Sequence, residues 1–522
     1  MAVLYHDPYE QTRTLGNLCL VSRHIQSLAQ GLLYHFPRIY SYAGFFRTID
    51  SRPELANCVK VMTWVYREDV SRFLFPRRDI PGTVLTARED IWYLRALAMQ
   101  LKLQNTEVLE FAPIFIDYNE NDEDMLDLFF KHEIFKAFDN LVTSIMLGLC
   151  SRLEFLSINL EDGQEALRLQ SLPRKATRFQ YLPGLIHQRP EGFPFLHTLV
   201  IQNTLHDDPN VLGIGSLSFL WKSLPSLQRL IFFRSSTEQY PGQVSPACND
   251  QVDDAEESLR YLKELRFVRC SRYDYPLPLP AIANLVSKCT ALELFTFSPV
   301  LVEGGTFPPS QLVDAISTTA CTLRQLVINC PILDASAVDA TRLVTDLRQF
   351  TQLQSLVLDQ SVFCHHHHFP DSDASPECLT SMLPANIHTL TINIHYPCNP
   401  MVDLVALGAS VSNGEFSFLR YLRVQVVFAE PSKDDPLDVT STSYEQNPAL
   451  LALGARLSDP EWSLLAYRKE IRQILSKAFE TTNVVLDVDC FRGCLYQPVN
   501  ADDWSPHRVS TRFSKNLIHE EE

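Results

Sequence analysis

Nine times between Leu153 and Val424 the chain repeats one phrase: apolar, two variable residues, apolar, one variable residue, apolar. The copies are Leu153/Leu156/Ile158, Leu196/Leu199/Ile201, Leu227/Leu230/Phe232, Leu262/Leu265/Phe267, Leu292/Phe295/Phe297, Leu323/Leu326/Ile328, Leu353/Leu356/Leu358, Ile387/Leu390/Ile392 and Leu419/Leu422/Val424. Their first positions recur 30 to 43 residues apart, a period that marks an array of like units. Amphipathic stretches precede several copies: Pro280–Cys289, Ser310–Ala320, Ala335–Phe350 and Met401–Val411. In the third of these, Val338, Leu343, Val344 and Leu347 fall near a 3.6-residue period, which predicts a helix. Each unit therefore reads as one strand plus one helix. That alternation builds a parallel sheet, either open or closed into a barrel.

The positions between the anchors separate the two cases. Strands of a closed barrel are buried on both faces and read as continuous apolar runs. Here the variable positions hold Glu154 and Ser157, His197 and Thr198, Gln228 and Arg229, Lys263, Glu264 and Arg266, Arg324 and Gln325, Gln354 and Ser355, His388 and Thr389, and Arg420 and Arg423. One strand face is expected to be wet. The phrases resemble the first half of the leucine-rich repeat, whose strands line the concave side of an open solenoid. The resemblance implies an α/β fold with a parallel sheet inside and helices outside, over residues 151–428. The family's asparagine or cysteine at the ninth position is met only by Cys270, with Thr204, Ser235 and Ser361 as substitutes and Pro331 or Val427 elsewhere, so the turns should be irregular. In the barrel alternative, an enzyme, Asn329, Asp359, Asn393 and Gln425 at the strand exits are the catalytic candidates.

Ahead of the array, Leu15 to His35 places Leu18, Val21, Ile25, Leu28, Leu32 and Leu33 at helical spacing around Ser22-Arg23-His24. With Cys19, Leu20, Ala29 and Tyr34, this segment resembles the second half of an F-box. The segment Phe46–Val61 looks like the join between F-box and repeats in fungal members of that family. Where an F-box opens on a leucine–proline pair, this chain has Met1 to Thr14, with Tyr5, Pro8 and Tyr9. The resemblance implies that Leu15, Leu18, Cys19, Val21, Ile25, Leu28, Leu32 and Leu33 contact a Skp-type adaptor of a cullin ubiquitin ligase. Ser51 and Glu54 stand at capping-box spacing, with Pro53 in the first turn of a short helix.

The organisation expected is a partial F-box at 1–50, a helical linker with a degenerate first repeat at 51–150, and the solenoid at 151–428. In the linker, a strand near Val59, Met62 and Trp64 is that first repeat; Thr86 and Glu89 cap a helix over Ile91–Leu103, and Met125–Leu149 forms another. A polar acidic loop follows at 429–448, then a capping helix and strand at 449–497, with Pro460 opening the helix and Val484–Val488 alternating as a last strand, and a disordered tail at 498–522.

Composition narrows the function. Among 522 residues, 45 basic and 62 acidic side chains leave a formal charge of -17, which disfavours nucleic acid and anionic membranes. The start, Met1 to Leu15, lacks the apolar run of a secretory signal, and no apolar run is long enough to cross a bilayer. Thirteen scattered cysteines, several inside apolar phrases like Cys150, Cys270 and Cys330, fit a reducing cytoplasmic or nuclear compartment.

Three clusters invite metal chemistry, and each has a plainer reading. Cys364 with His365–His368 lies beside Pro370, Asp371 and Asp373 in a solvated stretch; Cys490 and Cys494 lack a second pair; Glu120–Asp127 lacks a central glycine. There is no G-x-S-x-G elbow, phosphate loop or H-E-x-x-H pair, and no cofactor is expected. The expected function is therefore non-catalytic: substrate recognition for a ubiquitin ligase, or a repeat scaffold without that role. For the concave contact with a protein substrate the candidates are Arg229, Glu264, Arg266, Asp359, Tyr421 and Arg423, since arginine and tyrosine are common interface anchors.

Overall fold

The structure is a computed structural model and describes residues 8–35, 37, 42–63, 92–94, 96–101, 144–159, 192–202, 224–233, 259–268, 279–299, 309–329, 343–363, 378–395, 401–428 and 464–492. Four helices come first: α1 (Pro8–Val21), α2 (Arg23–His35), α3 (Tyr42–Ser51) and α4 (Pro53–Ala56). The strands are β1 (Val61–Thr63), β2 (Phe155–Asn159), β3 (Thr198–Gln202), β4 (Arg229–Phe233), β5 (Glu264–Val268), β6 (Leu294–Ser298), β7 (Gln325–Ile328), β8 (Ser355–Asp359), β9 (Thr389–His395), β10 (Tyr421–Phe428) and β11 (Val485–Arg492). Between them lie α5 (Leu279–Ser287), α6 (Pro309–Ile316), α7 (Cys378–Met382), α8 (Met401–Ser412) and α9 (Leu464–Ala478). The eleven strands follow one another in the sheet in chain order, so the sheet is open and does not close into a barrel.

The nine phrases supply β2 to β10, and β1 adds an earlier strand by pairing Val61 with Phe155 in parallel. Every described pairing is parallel, and the middle anchors share one row: Leu265, Phe295, Leu326, Leu356, Leu390 and Leu422 are successive register partners. All phrase residues with a described burial are at most 2% exposed. This stacking is why the sequence must repeat: each unit's apolar edge is covered only by its neighbours'.

The strand starts share a second device. In seven of the nine phrases the carbonyl one residue after the first anchor receives two backbone N–H groups from the next unit. Lys263 O, for example, accepts from Glu293 (2.8 Å) and Leu294 (2.9 Å), and Glu293 O from Arg324 (2.8 Å) and Gln325 (2.9 Å). Lys60, Glu154 and His197 do the same earlier in the chain.

The chain divides into two compact units, one comprising 1–230, 241–258 and 500–522, the other 231–240 and 259–499. In the first, α1 contacts α2, and α2 and α3 each contact α4. Ser51 does not cap α4, contrary to its spacing. It ends α3, where its hydroxyl donates to Thr48 O (3.1 Å), while Arg52 occupies the N-cap and pairs with Glu54 (2.7 Å). The expected wet strand face is met in part in this unit: Ser157 and Thr198 are buried, whereas Glu154 and His197 are half-exposed and Gln228 and Arg229 are exposed.

In the second unit the alternation holds at β5, where Glu264 and Arg266 are half-buried between the buried Leu265 and Phe267, and again along β7. Helices α5, α6 and α8 fall on the expected stretches, and α5 contacts α6, α7 contacts α8, and α8 contacts α9. One helix expectation fails. Residues 343–350 are not helical although Leu343, Val344, Leu347 and Phe350 are buried. Their backbone is satisfied from outside the segment, Val344 N donating to Val362 O (3.0 Å) and Leu347 N to Met382 O (2.9 Å). With those acceptors in place, the apolar residues reach the core without an internal ladder.

The end of α8 passes very near α9. A β-carbon at Gly408 would stand 2.6 Å from Ala478 O, so only glycine permits that approach. Helix α9 then packs on β11, which pairs with β10 from Tyr421↔Val485 to Phe428↔Arg492 and forms the expected terminal strand. The stretches 64–91, 102–143, 364–377 and 429–463 lie outside the described residues, and with them the starts of the expected helices after Thr86 and Met125, the Cys364–His368 cluster and the acidic loop; residues 92–94, 96–100 and 144–149 are helical. No helix among the described residues is long and apolar enough to cross a membrane.

Candidate functional site

Two surfaces carry the candidate residues. On the first, helices α1 and α2 meet at Ser22, whose hydroxyl accepts from Ile25 N (3.2 Å) and whose carbonyl accepts from Gln26 N (2.8 Å). This N-cap lets a near-continuous apolar sequence fold as two helices rather than one. Along α2, Ala29 is buried and Ile25 and Leu33 are half-buried, a stripe at four-residue spacing that faces its own unit. The helix is held there by Tyr34 stacked on Phe45 (5.8 Å), by Arg52 Nη1 donating to Gln30 Oε1 (3.3 Å), and by Lys60 N donating to His35 O (3.0 Å).

A second apolar stripe points the other way. Leu28 and Leu32 are 63% and 64% exposed, and on α1 Leu20 is 85%, Val21 66% and Leu18 38% exposed. Leu15 and Cys19 are half-buried. The predicted contact residues thus split: Leu18, Val21, Leu28 and Leu32 are outward, whereas Leu15, Cys19, Ile25 and Leu33 are partly used in packing.

The second surface is the strand face opposite the phrase anchors, where register partners form rows. One row of the second unit runs Arg266, Thr296, Val327, Val357, Thr391, Arg423 and Asp487. Two arginines thus bracket four small side chains, about 24 Å apart at ~4.8 Å per strand. Arg266 Nε donates to Glu264 Oε1, so these two predicted residues satisfy one another.

At the other end a network locks β11 to β10. Tyr421 Oη donates to Asp487 Oδ2 (2.8 Å), Arg423 Nη2 to Asp489 Oδ2 (2.7 Å), and Arg423 Nε lies 3.2 Å from Asp487 Oδ2. Arg468 of α9 joins from behind, with Nη2 3.3 Å from Asp489 Oδ1 and Nε donating to Val488 O. Burial and the neighbouring Asp487 push the Tyr421 phenol up to about 12. Asp487 and Asp489 were not among the predicted residues; the alternation of Val485-Leu486-Asp487-Val488-Asp489 puts both on one face and could have found them.

Arg229 is exposed at the start of β4. Asp359 is placed differently from the surface position expected of it. It is 0% exposed and accepts from Ser361 N (3.0 Å) and Ser361 Oγ (2.6 Å), capping a short 3-10 turn over Gln360–Val362. Its register partner Asn393 donates from Nδ2 to Asn329 Oδ1 (3.1 Å), so these strand-exit residues bond to one another. Ser361, the ninth-position substitute, is spent on Asp359.

The carboxylates of this face answer arginines, tyrosine or serine, and among the described residues no three His, Cys, Asp or Glu side chains converge to hold a metal ion. Burial raises the Cys289 thiol to about 12, and its sulfur donates to Leu285 O (3.2 Å), the behaviour of a small core residue. No family model matches the chain, and no curated protein matches it.

Proposed function

We propose that the chain is a non-catalytic substrate-recognition subunit of a Skp/cullin-type ubiquitin ligase in the cytoplasm or nucleus. Its N-terminal helices act as an F-box-like dock for the adaptor. The strand–helix units form a leucine-rich-repeat solenoid, whose open strand face holds a protein substrate. Ubiquitin transfer belongs to partner subunits, and this chain supplies proximity.

The observation that carries this reading is the double-faced α2. Ile25, Ala29 and Leu33 serve its own unit, while Leu28 and Leu32 stay exposed, as do Leu20 and Val21 of the contacting helix α1. A surface helix needs one apolar stripe, and a second, left exposed, supports a docking role. The row of small residues between Arg266 and Arg423 supports the substrate role, since it lets a partner backbone come near the sheet. The test is co-elution of the full chain with a purified Skp-type adaptor on size exclusion. A shared peak is expected, and separate elution would leave a repeat scaffold without a ligase role.

A further inference from the structure

The strand starts of the second unit carry a feature that adaptor docking does not use. Their two-acceptor carbonyls belong to Lys263, Glu293, Arg324, Gln354 and His388, and Arg420 completes the row by donating its N–H to His388 O (2.9 Å). The row's side chains lie at the surface. Lys263 and Glu293 lie 3.9 Å apart and answer each other. Beyond them the row turns donor-rich: Arg324, Gln354, His388 and Arg420 include no carboxylate. Among the described residues, the side chains of Arg324 and Gln354 have no partner. Arg420 uses only Nη1, on Ser417 O (2.7 Å) and Leu419 O (3.2 Å), which fixes its guanidinium with Nε and Nη2 still available.

An aromatic shelf lies between the arginines. His388 Nδ1 is 2.8 Å from Asn386 O, and because a carbonyl only accepts, that nitrogen carries the proton. The imidazole is 5.7 Å from the Phe418 ring, which is 49% exposed. Asn386 is itself anchored through Nδ2 to Thr351 O (2.8 Å). Glu293, the acid beside Arg324 in the row, is answered by Lys263 (3.9 Å). In a chain of net charge -17, an exposed strip of donors is complementary to an anionic partner rather than to the chain's own surface.

We propose that this strip docks an extended acidic peptide segment of a partner protein, laid across the starts of β7 to β10. Arg324 and Arg420 are three strand spacings apart, about 14 Å, which an extended chain covers in about four residues. The segment therefore carries two carboxylates about four residues apart, with an apolar side chain between them on the His388–Phe418 shelf. Gln354 meets the peptide backbone, and Arg324 and Arg420 each take one carboxylate. The proposal does not rest on the adaptor contact, because the strip lies at the strand starts and not on α1 and α2.

The test is fluorescence anisotropy with the full chain and a labelled Gly-Glu-Ala-Phe-Ala-Glu-Gly peptide. Its Gln-for-Glu version and an oligothymidylate of equal charge are run alongside. Saturable binding that weakens with added salt is expected, and Arg324→Glu should raise Kd by about 10-fold or more, as loss of a close charge pair does. Arg420→Gln, which keeps a donor on that turn, should also weaken binding. Arg472→Gln, exposed on α9 and outside the row, should change Kd less than about 2-fold. Equal binding of the Gln version, an unchanged Kd in both row variants, or equal affinity for the oligothymidylate would each overturn the proposal. Circular dichroism of each variant reports its folding, and Arg324→Gln replaces Arg324→Glu if the latter misfolds.

Discussion

Replacing Leu28 and Leu32 together by lysine separates docking from packing on α2. Both leucines are more than 60% exposed, so their removal takes little from the folded chain. Lysine is as good a helix former as leucine, and a cation in the last turn suits the helix dipole. The unfolding midpoint of the double variant should therefore match the parent. Adaptor affinity should not. Complete burial of a leucine contributes about 1.5–3 kcal/mol, so covering the exposed share of both contributes about 2–4 kcal/mol, or ~30- to 800-fold in Kd. Desolvating the new ammonium groups adds to that loss. Ala29→Lys is the companion: one residue away but 4% exposed, it forces a charge into the α2 contact and should lower the midpoint. Calorimetric titration with a purified Skp-type adaptor and thermal unfolding provide the two readouts. A double variant as destabilised as Ala29→Lys would show the leucines to be packing residues. A stable double variant with parental affinity would show that the stripe does not dock the adaptor.

Other substitutions test the second unit. Gly408→Ala places a methyl 2.6 Å from Ala478 O and 3.0 Å from its carbonyl carbon, so one backbone must shift; a loss of about 1–3 kcal/mol is expected in denaturant unfolding. Asp359→Ala removes the acceptor of two Ser361 bonds in a buried site and should destabilise by about 1–3 kcal/mol, with Asp359→Asn recovering part of it. Tyr421 supplies a pH test. Its folded pKa stands at about 12 against the ordinary tyrosine value of 10.0, so the protonated phenol is favoured by folding. That contribution is complete below the unfolded value and is lost as pH climbs from 10.0 to about 12. Tyr421→Phe should flatten this part of the stability–pH curve, and a curve unchanged by the substitution would refute the raised pKa of the Tyr421 phenol.

Much of the fold was written in local pattern. The spacing of the phrase anchors predicted β2 to β10, their parallel arrangement followed from the helical stretches between them, and Val484–Val488 announced β11. These readings depend only on which residues must face a core, and that is a property of period. The openness of the sheet was legible too, since polar residues within the strands cannot line the inside of a packed barrel.

What remained hidden depends on partners distant in sequence. Residues 343–350 have helical periodicity yet no helix, because Val362 and Met382 supply backbone acceptors that no local pattern encodes. Ser51 and Glu54 had capping spacing, but Thr48 and Arg52 took both side chains first. Asp359 read as a surface acid until the Gln360–Val362 turn brought Ser361 onto it. The two faces of α2 were one undivided list of leucines in sequence. Only packing decided that Ala29 points in while Leu28 and Leu32 point out, since a helix with apolar residues all round carries no mark of which side its own core will cover. Sequence by itself determined the repeating strand and its buried edge. Tertiary structure decided which polar and apolar groups were left over for a partner, because exposure depends on what the rest of the chain has already covered.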